Sequence, residues 1–286
     1  MRSKIFYHLK KRSMTSEVNV DDYHKNEFRR IGIEEGFGEH VQKLFSTGND
    51  TVDYNFQRKF GRDQLEGTIR FKRDELLKRY DISHLELHLQ KADTVEKIGQ
   101  RFYFQKLREV AQRDGSTIKH SFKVTVQEGY NLLSGRPVRK LMLDKNNMQI
   151  DSWIRLNFKE LSPISRNHKL IIEPVASFDL KEVLREYTIS ENQHHALIKS
   201  LERGDLAMTT FLNNKSETER LYISPDTNMY CLNLYTHELR PVSLNEQKEL
   251  GIIHPSLIKR LEQIPSTREL LKKITSHTLK RTQKIG

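Results

Sequence analysis

The sequence is short of the residues that would cross-link it or anchor it in a bilayer. Its 286 residues include one cysteine, seven prolines, 13 glycines and one tryptophan. A single cysteine excludes an internal disulfide framework and a cysteine-based zinc knuckle. The few glycines and prolines exclude a collagen-like or Pro/Gly-rich disordered chain. Since apolar residues nowhere run together over about 18 positions, we predict no transmembrane helix and no membrane partner.

The N-terminal residues and the cysteine indicate the compartment. Residues 2–12 are basic, and only Ile5, Phe6 and Tyr7 form an apolar run there, whereas a secretory signal needs about 7–15 apolar residues. Cys231 lies in an alternating segment, where a small core residue is expected rather than a reactive thiol. Because these features are typical of a reducing compartment, we expect a cytoplasmic protein.

Positive charge is in excess. Lys and Arg total 49 against 38 Asp and Glu, which gives a net charge of +11. Such an excess attracts polyanions and makes association with them depend on salt. The basic side chains cluster in four segments, 2–12, 70–79, 101–113 and 272–284. Charge is therefore the strongest indication of function in the sequence.

A short pattern recurs at Gly48, Gly135 and Gly204, where a helix-like stretch ends in Leu or Phe, two further residues and glycine. Glycine ends a helix in the left-handed conformation at low steric cost. Each glycine precedes alternating apolar and polar residues interrupted by a polar turn, which predicts a β-hairpin. We interpret the pattern as a repeated helix–Gly–β-hairpin module. Chance similarity between common local patterns is the alternative.

Other segments carry helix signals. Apolar residues at helical spacing predict a helix over 93–113, ended by Gly115. Pro255 suits the first turn of a helix over 256–261, and the basic segment 270–284 has an amphipathic helical pattern. Capping-box pairs indicate where further helices begin: Thr125 with Glu128, Ser190 with Gln193, Ser243 with Glu246, and Ser266 with Glu269.

The segment from 125 to 242 resembles a known family. It contains, in order, Leu-Leu-Ser-Gly-Arg-Pro-Val at 132–138, Trp-Ile-Arg-Leu-Asn-Phe at 153–158, Phe-Asp-Leu-Lys-Glu-Val-Leu at 178–184 and Ser-Leu-Glu-Arg-Gly at 200–204. This set is similar to a domain of unknown function in Bacteroides-type bacteria, common on conjugative transposons and related mobile elements. Some of those proteins are fused or adjacent to type IA topoisomerases. The resemblance implies mobile DNA in a bacterial cytoplasm, and it supplies no catalytic residues.

These patterns predict an α+β fold made of repeated helix–Gly–β-hairpin modules with flanking helices and a helical C-terminal tail. Because each hairpin has one apolar and one polar face, we expect small antiparallel sheets that are covered on one side. We expect an N-terminal α+β region at 1–120, which matches the family only weakly. Two related modules follow at 121–242, and a basic helical tail occupies 243–286.

No catalytic motif is evident. The sequence has no phosphate-binding Gly-x-x-x-x-Gly-Lys-Ser/Thr loop, no His-Glu-x-x-His and no Gly-x-Ser-x-Gly elbow. The nearest metal-like set is His84, Glu86 and His88, which would share one face of a strand. A metal-dependent enzyme using these residues is one hypothesis, and the polar face of an ordinary strand is the alternative. We predict a protein without catalytic residues, metal or cofactor.

A segment that interleaves cations and aromatics suits nucleic acid. Arg101-Phe102-Tyr103-Phe104 combines groups for phosphate contact with groups for base stacking. A solvated helix with core aromatics is the alternative. The residues predicted to bind nucleic acid are Arg101, Tyr103, Lys106, Arg108, Arg113, Lys272, Lys273, Lys280 and Arg281.

The expected function is that of a non-catalytic accessory protein of a bacterial mobile genetic element. It would bind nucleic acid, DNA rather than RNA, mainly through phosphate contacts. The alternative is a protein–protein adaptor that recruits a topoisomerase, a relaxase or a host factor. This alternative rests on repeated modules that lack a catalytic constellation.

Overall fold

The computed structural model describes residues 20–263, except 93, 106–107, 112–114 and 145. Helices and antiparallel strands are both present, as an α+β fold requires. The helices are α1 (Val20–Arg30), α2 (Glu39–Ser46), α3 (Val126–Leu133), α4 (Leu180–Arg185), α5 (Glu191–Glu202), α6 (Leu244–Leu250) and α7 (Pro255–Gln263). Short 3-10 turns span Glu34–Gly36 and Val175–Ser177.

The strands of these residues form four antiparallel sheets, in the orders β1-β2-β3-β4, β5-β6, β7-β8-β9 and β10-β11-β12. The strands are β1 (Thr51–Phe60), β2 (Asp63–Asp74), β3 (Arg79–Gln90), β4 (Lys97–Tyr103), β5 (Arg108–Ala111), β6 (Thr117–His120), β7 (Val138–Leu143), β8 (Gln149–Leu161), β9 (His168–Pro174), β10 (Ala207–Leu212), β11 (Thr218–Asp226) and β12 (Cys231–Tyr235).

The four-stranded sheet turns one face to a hydrophobic core. In β2, Leu65, Ile69 and Phe71 are fully buried. Arg70, between Ile69 and Phe71, and Lys72, after Phe71, are exposed. This alternation follows from the strand geometry, in which successive side chains point to opposite faces. Helix α1 covers part of the inner face through Phe28, whose ring stacks on Phe71 at a centroid distance of 5.4 Å. The opposite, outer face carries mostly polar and charged side chains.

Two buried clusters divide the described chain. The first runs from Phe28 to Leu156 and includes the β1–β4 sheet, α3 and part of the β7–β9 sheet. The second runs from Trp153 to Leu261 and surrounds the β10–β12 sheet. Strand β8 supplies residues to both clusters, because Trp153 and Ile154 point to opposite faces. The first cluster crosses residue 120, where the sequence suggests a domain boundary, and that boundary stays a prediction.

A buried polar link joins the two regions. Asn131 of α3 is fully buried, and its side-chain amide donates to the carbonyl of Arg203 at 2.7 Å and to Asp205 Oδ1 at 3.0 Å. Arg136 donates to Asn131 Oδ1 at 2.6 Å and to the carbonyl of Gly204 at 2.8 Å. Paired buried groups of this kind are costly to disrupt, because each would be left unsatisfied.

The three glycines of the recurring pattern each follow a helix or its last turn and precede a hairpin. Gly48, Gly135 and Gly204 have φ values of +71°, +85° and +78°, the left-handed conformation expected of a helix stop. The hairpins β1-β2, β7-β8 and β10-β11 follow them. Their common origin as copies of one module stays a prediction.

Several helix starts are confirmed. Thr125 and Ser243 each make a complete capping box, with Glu128 and Glu246 respectively, and Pro255 opens α7. The capping box at Ser190 is wrong in detail, because Ser190 is the N-cap of α5 but its side chain makes no capping hydrogen bond. The pair Ser266 with Glu269, like the rest of the tail after residue 263, lies outside the described residues.

The predicted helix over 93–113 is wrong. Its described part holds β4 and β5, and β4 pairs with β3 over seven residues from Tyr103 to Lys97. Ile98 and Phe102 are four residues apart. Residues at this separation share a face in a helix, and they also share a face in a strand, so the pattern alone does not distinguish the two. The pairing with β3 shows that the segment is a strand.

Cys231 is a core residue, as expected. Its side chain is buried in β12, and this burial raises the pKa of the thiol to about 12. A thiol with so high a pKa is not a nucleophile.

Within the part of the chain that the structure describes, no helix is both long and apolar enough to cross a membrane.

Candidate nucleic-acid interface

The Arg101–Phe104 motif lies at the end of β4. The strand directs successive side chains of the motif to opposite faces of the sheet. Phe102 points inward and is only 4% exposed, whereas Tyr103 is 55% exposed. Arg101 and Tyr103 are two residues apart, so both lie on the outer face. Neither alternative weighed from the sequence anticipated this arrangement, because both assumed a helix. The strand presents one cation and one aromatic ring side by side to solvent.

Strand register extends this polar face across the whole sheet. One cross-strand row contains Asp53, Arg70, His84 and Tyr103. The adjacent row contains Asn55, Thr68, Glu86 and Arg101. Directly paired residues share a face of the sheet. The outer face, defined here as these two rows with Lys59 and Lys72, therefore combines guanidinium, imidazole, phenol and amide groups.

Two guanidinium groups on the outer face are held by carboxylates. Arg70 donates to both carboxylate oxygens of Asp53, at 2.7 and 2.6 Å. Arg101 donates twice to Glu86 Oε2, at 2.9 and 2.6 Å. The hydrogen bonds from Arg70 hold the pKa of Asp53 below its usual range. Since a guanidinium has five N–H donors, a carboxylate that fixes its orientation leaves donors for a phosphate.

His84 lies between these pairs and is only 7% exposed. Its ring centroid is 5.5 Å from that of Tyr103. Burial lowers the pKa of His84, and the neighbouring charges of Arg101 and Arg70 lower it further. The imidazole is therefore neutral at pH 7 and supports the Tyr103 ring as a packing partner rather than as a cation.

Lys59 and Lys72 add positive charge at opposite ends of the face. Both are exposed, Lys72 paired in register with Thr51 and Lys59 with Gln64. Among the described residues, neither ammonium group has an ion-pair partner. They are available to the phosphates of a polyanion.

Of the other predicted binding residues, one lies within the described part of the chain. Arg108 lies in β5, which belongs to the two-stranded β5-β6 sheet and not to the β1–β4 sheet. The remaining predicted residues lie outside the described residues: Lys106, Arg113, Lys272, Lys273, Lys280 and Arg281. They stay predictions.

His84, Glu86 and His88 lie on one face of β3, as the strand alternative required. Glu86 is engaged by Arg101, and the closest approach of His88 Nε2 to Glu86 Oε1 is 3.7 Å. Within the described ranges, no group of three or more His, Cys, Asp or Glu side chains could hold a metal ion. The hypothesis of a metal-dependent enzyme at these three residues is therefore not supported.

Sequence reasoning missed the part of the face that β2 supplies. Arg70 and Lys72 were visible as members of a basic cluster, and the alternation along β2 was also visible. What was missing was the register that places Arg70 beside His84 and Tyr103. Register depends on pairing between segments, which a local pattern does not specify.

Comparison of the chain with protein-family models, with curated proteins and with solved structures found no match to any of them.

Proposed function

We propose that the outer face of the β1–β4 sheet binds nucleic acid. The observation that carries this proposal is the exposed Tyr103 ring beside Arg101 and in one row with Arg70. An exposed aromatic ring on a polar sheet offers a base a stacking surface, worth about 1–3 kcal/mol. The neighbouring cations contact phosphates without reading the sequence.

The geometry favours a single strand over a duplex. A base can stack on Tyr103 only where its own face is free, as in single strands and unpaired ends. We also propose that the protein prefers DNA to RNA. Binding is expected to be moderate and to depend on salt, because Asp53 and Glu86 offset part of the cationic charge.

The cellular setting is also proposed. The resemblance over 125–242 supports an accessory protein of a bacterial mobile element that acts in the cytoplasm without catalysing a reaction. We also propose that the three helix–Gly–hairpin units derive from one module. Their shared left-handed glycines support this.

The test compares the exposed Tyr103 with Tyr222, a half-buried tyrosine on the outer face of the other sheet. Labelled single- and double-stranded DNA and RNA are titrated between about 50 and 200 mM salt, where phosphate contacts show their slope. Tyr103→Ala is expected to weaken single-strand binding about 5- to 150-fold through the loss of stacking, while Tyr103→Phe retains it. Tyr222→Ala, on the outer face of the β10–β12 sheet, serves as the matched control.

Two results would overturn the proposal. One is the absence of binding by the unmodified protein at the lowest salt. The other is that the Tyr103→Ala variant binds single strands with the same affinity as the unmodified protein.

A protein–protein adaptor is the second candidate. Leu161 and Ile164 near the tip of the β8–β9 hairpin are 47% and 95% exposed, and neighbouring exposed apolar side chains are typical of a protein contact. An adaptor would keep its partner at physiological salt and bind DNA only weakly. Ile164→Asp would then abolish partner capture and leave nucleic-acid affinity unchanged.

A further inference from the structure

A cleft lies where the outer face of the first sheet meets the loop between β8 and β9. Its volume is about 510 Å³, within the range of small-ligand sites. One wall comes from the edge of the sheet and the other from residues 161–168. The charged and ring-bearing residues that line it are Glu86, His88, Lys97, Arg101, Arg166 and His168.

The loop wall is fixed by its own hydrogen bonds. The amide of Ser162 donates to the carbonyl of Asn167 at 2.8 Å, and the amide of Arg166 donates to the carbonyl of Ser162 at 3.0 Å. Arg166 itself has a φ of +56°, the left-handed conformation that non-glycine residues rarely adopt. The backbone therefore sets the place of Arg166 on the wall of the cleft.

The loop is also tied to the sheet. The amide of Arg101 donates to Asn167 Oδ1 at 3.0 Å. The amide of His168 donates to Gln100 Oε1 at 2.8 Å. Both walls of the cleft are thus connected through β4, so the cleft exists before a ligand binds. Such pre-organisation reduces the entropy lost on binding.

The lining carries a net positive charge. Three cations, Lys97, Arg101 and Arg166, line the cleft with one carboxylate, Glu86. Lys97 is paired with Glu66 at 2.8 Å, and Arg101 with Glu86. The exposed Arg166 guanidinium has no hydrogen-bond or ion-pair partner among the described residues. It is the group best able to take a new anion.

We propose that this cleft holds the terminal phosphomonoester of a nucleic-acid strand. A phosphomonoester carries nearly two negative charges at pH 7, so the positive lining and Arg166, whose side chain is unpaired among the described residues, attract it more strongly than an internal phosphodiester, which carries one. Arg166 contacts the phosphate, and Arg101 belongs to both the cleft and the outer face, so the terminal nucleotide continues towards Tyr103. This inference rests on the proposed function, because it specifies which end of the nucleic acid the same surface receives.

The experiment compares one oligonucleotide with a 5′-phosphate, a 3′-phosphate or no terminal phosphate. The unmodified protein is expected to bind one phosphorylated form about tenfold more tightly than the unphosphorylated strand, the size of a charge-assisted contact. Arg166→Gln is expected to abolish this gain and Arg166→Lys to restore part of it. Arg185→Gln, at an exposed arginine of α4, is the matched control and retains the full gain.

A second titration separates failure of this inference from failure of the proposed function. Backbone amide NMR signals are followed while a deoxynucleoside 5′-monophosphate or the corresponding 3′-monophosphate is added, with the unphosphorylated deoxynucleoside as reference. Binding of a phosphomonoester in the cleft is supported if the signals of Arg101 and Asn167 shift only with the phosphorylated ligands and do not shift in Arg166→Gln. This result would support the cleft as a phosphate site even if oligonucleotides do not bind. Equal oligonucleotide binding with and without phosphate overturns the cleft and leaves the proposed function standing. No response to any of these ligands overturns both.

Discussion

The β1–β4 and β10–β12 sheets bury one face in the same way, but the first exposes a tyrosine ring to solvent whereas the tyrosines of the second are half-buried. The first presents Arg70, Glu86 and Arg101 in adjacent rows, with the exposed ring of Tyr103 beside them. On the second, Tyr222 is paired with Met208 and with Tyr235. The exposed Arg220 lies two residues before it on the same face. Both patterns satisfy the alternation that builds an antiparallel sheet. The comparison teaches that the inner face explains the fold, whereas the outer face is where the two sheets differ.

The two regions also differ in what lies beside their sheets. The first sheet is flanked by a cleft with net positive lining. The second has a cleft of about 340 Å³ whose lining includes Met229, Leu234 and Leu261 and one carboxylate, Asp226. Polyanions are therefore expected to approach the first region.

The largest effect is expected from the two cores. Phe28 and Phe211 are each fully buried, one in each cluster, so Phe28→Ala and Phe211→Ala should each cost about 3–5 kcal/mol. Because β8 supplies side chains to both cores and Asn131 joins the regions, both variants should lower one shared unfolding transition. Urea unfolding followed by circular dichroism and by Trp153 fluorescence measures this.

Separate transitions would break the expected coupling. If Phe28→Ala lowers only the circular dichroism midpoint while the Trp153 signal is unchanged, the regions fold independently. Val95→Ala, at a side chain that is 92% exposed, is the control and should change the free energy of unfolding by less than about 0.5 kcal/mol.

An intermediate effect is expected from acid, and it should arise in the first region. His24 is buried and its Nε2 accepts the amide hydrogen of Tyr80 at 3.1 Å. Burial lowers the pKa of both His24 and His84 from the ordinary value of 6.5. The folded state therefore favours neutral imidazoles. Their contribution to stability is complete above pH 6.5 and is lost as the pH falls towards the folded-state values.

The midpoints of urea unfolding at pH 7.5 and pH 5.5 test whether stability falls as the pH is lowered. The unmodified protein should be less stable at the lower pH, and the double variant His24→Gln, His84→Gln should lose less stability between the two values. An equal loss in both proteins would show that other groups cause the pH dependence.

The smallest effect is expected from Asp53→Asn. This change removes a carboxylate from the outer face and frees the Arg70 donors that it holds, so binding of single-stranded nucleic acid should tighten a few-fold. Because exposed ion pairs contribute little, the free energy of unfolding should change by less than about 1 kcal/mol. Glu219→Gln removes a carboxylate from the inner face of the other sheet, where it is paired with Phe211, and as a control it should leave affinity unchanged. Weaker binding by Asp53→Asn would mean that the carboxylate positions Arg70 for the ligand.

The sequence was most informative where local signals agree with tertiary structure. Alternation after Gly135 predicted the hairpin that β7 and β8 form, and capping residues located the starts of α3 and α6. Helix α1 was missed, although Asp21 and Asp22 in its first turn and two arginines in its last are typical helix signals. Such charge signals are weak without an apolar stripe to support them.

The helix predicted over 93–113 shows why the remainder was harder. Gly99 packs so closely against the His88 ring that an added Cβ would lie 2.7 Å from it. This contact between β3 and β4 is set by pairing of segments that the local pattern does not connect. The same limit applies to the site. Arg101 and Tyr103 were identified from their residue types, whereas Arg166 reaches the cleft only through the packing of the β8–β9 loop on β4.

The most direct measurement of the central claim is photo-cross-linking of a single-stranded oligonucleotide to the unmodified protein, followed by peptide mapping. Cross-links are predicted in the peptide that contains Tyr103, and they should disappear in Tyr103→Ala and persist in Tyr222→Ala. Cross-links confined to the β10–β12 sheet, with the β2–β4 peptides unmodified, would contradict the assignment of nucleic-acid binding to the outer face of the first sheet.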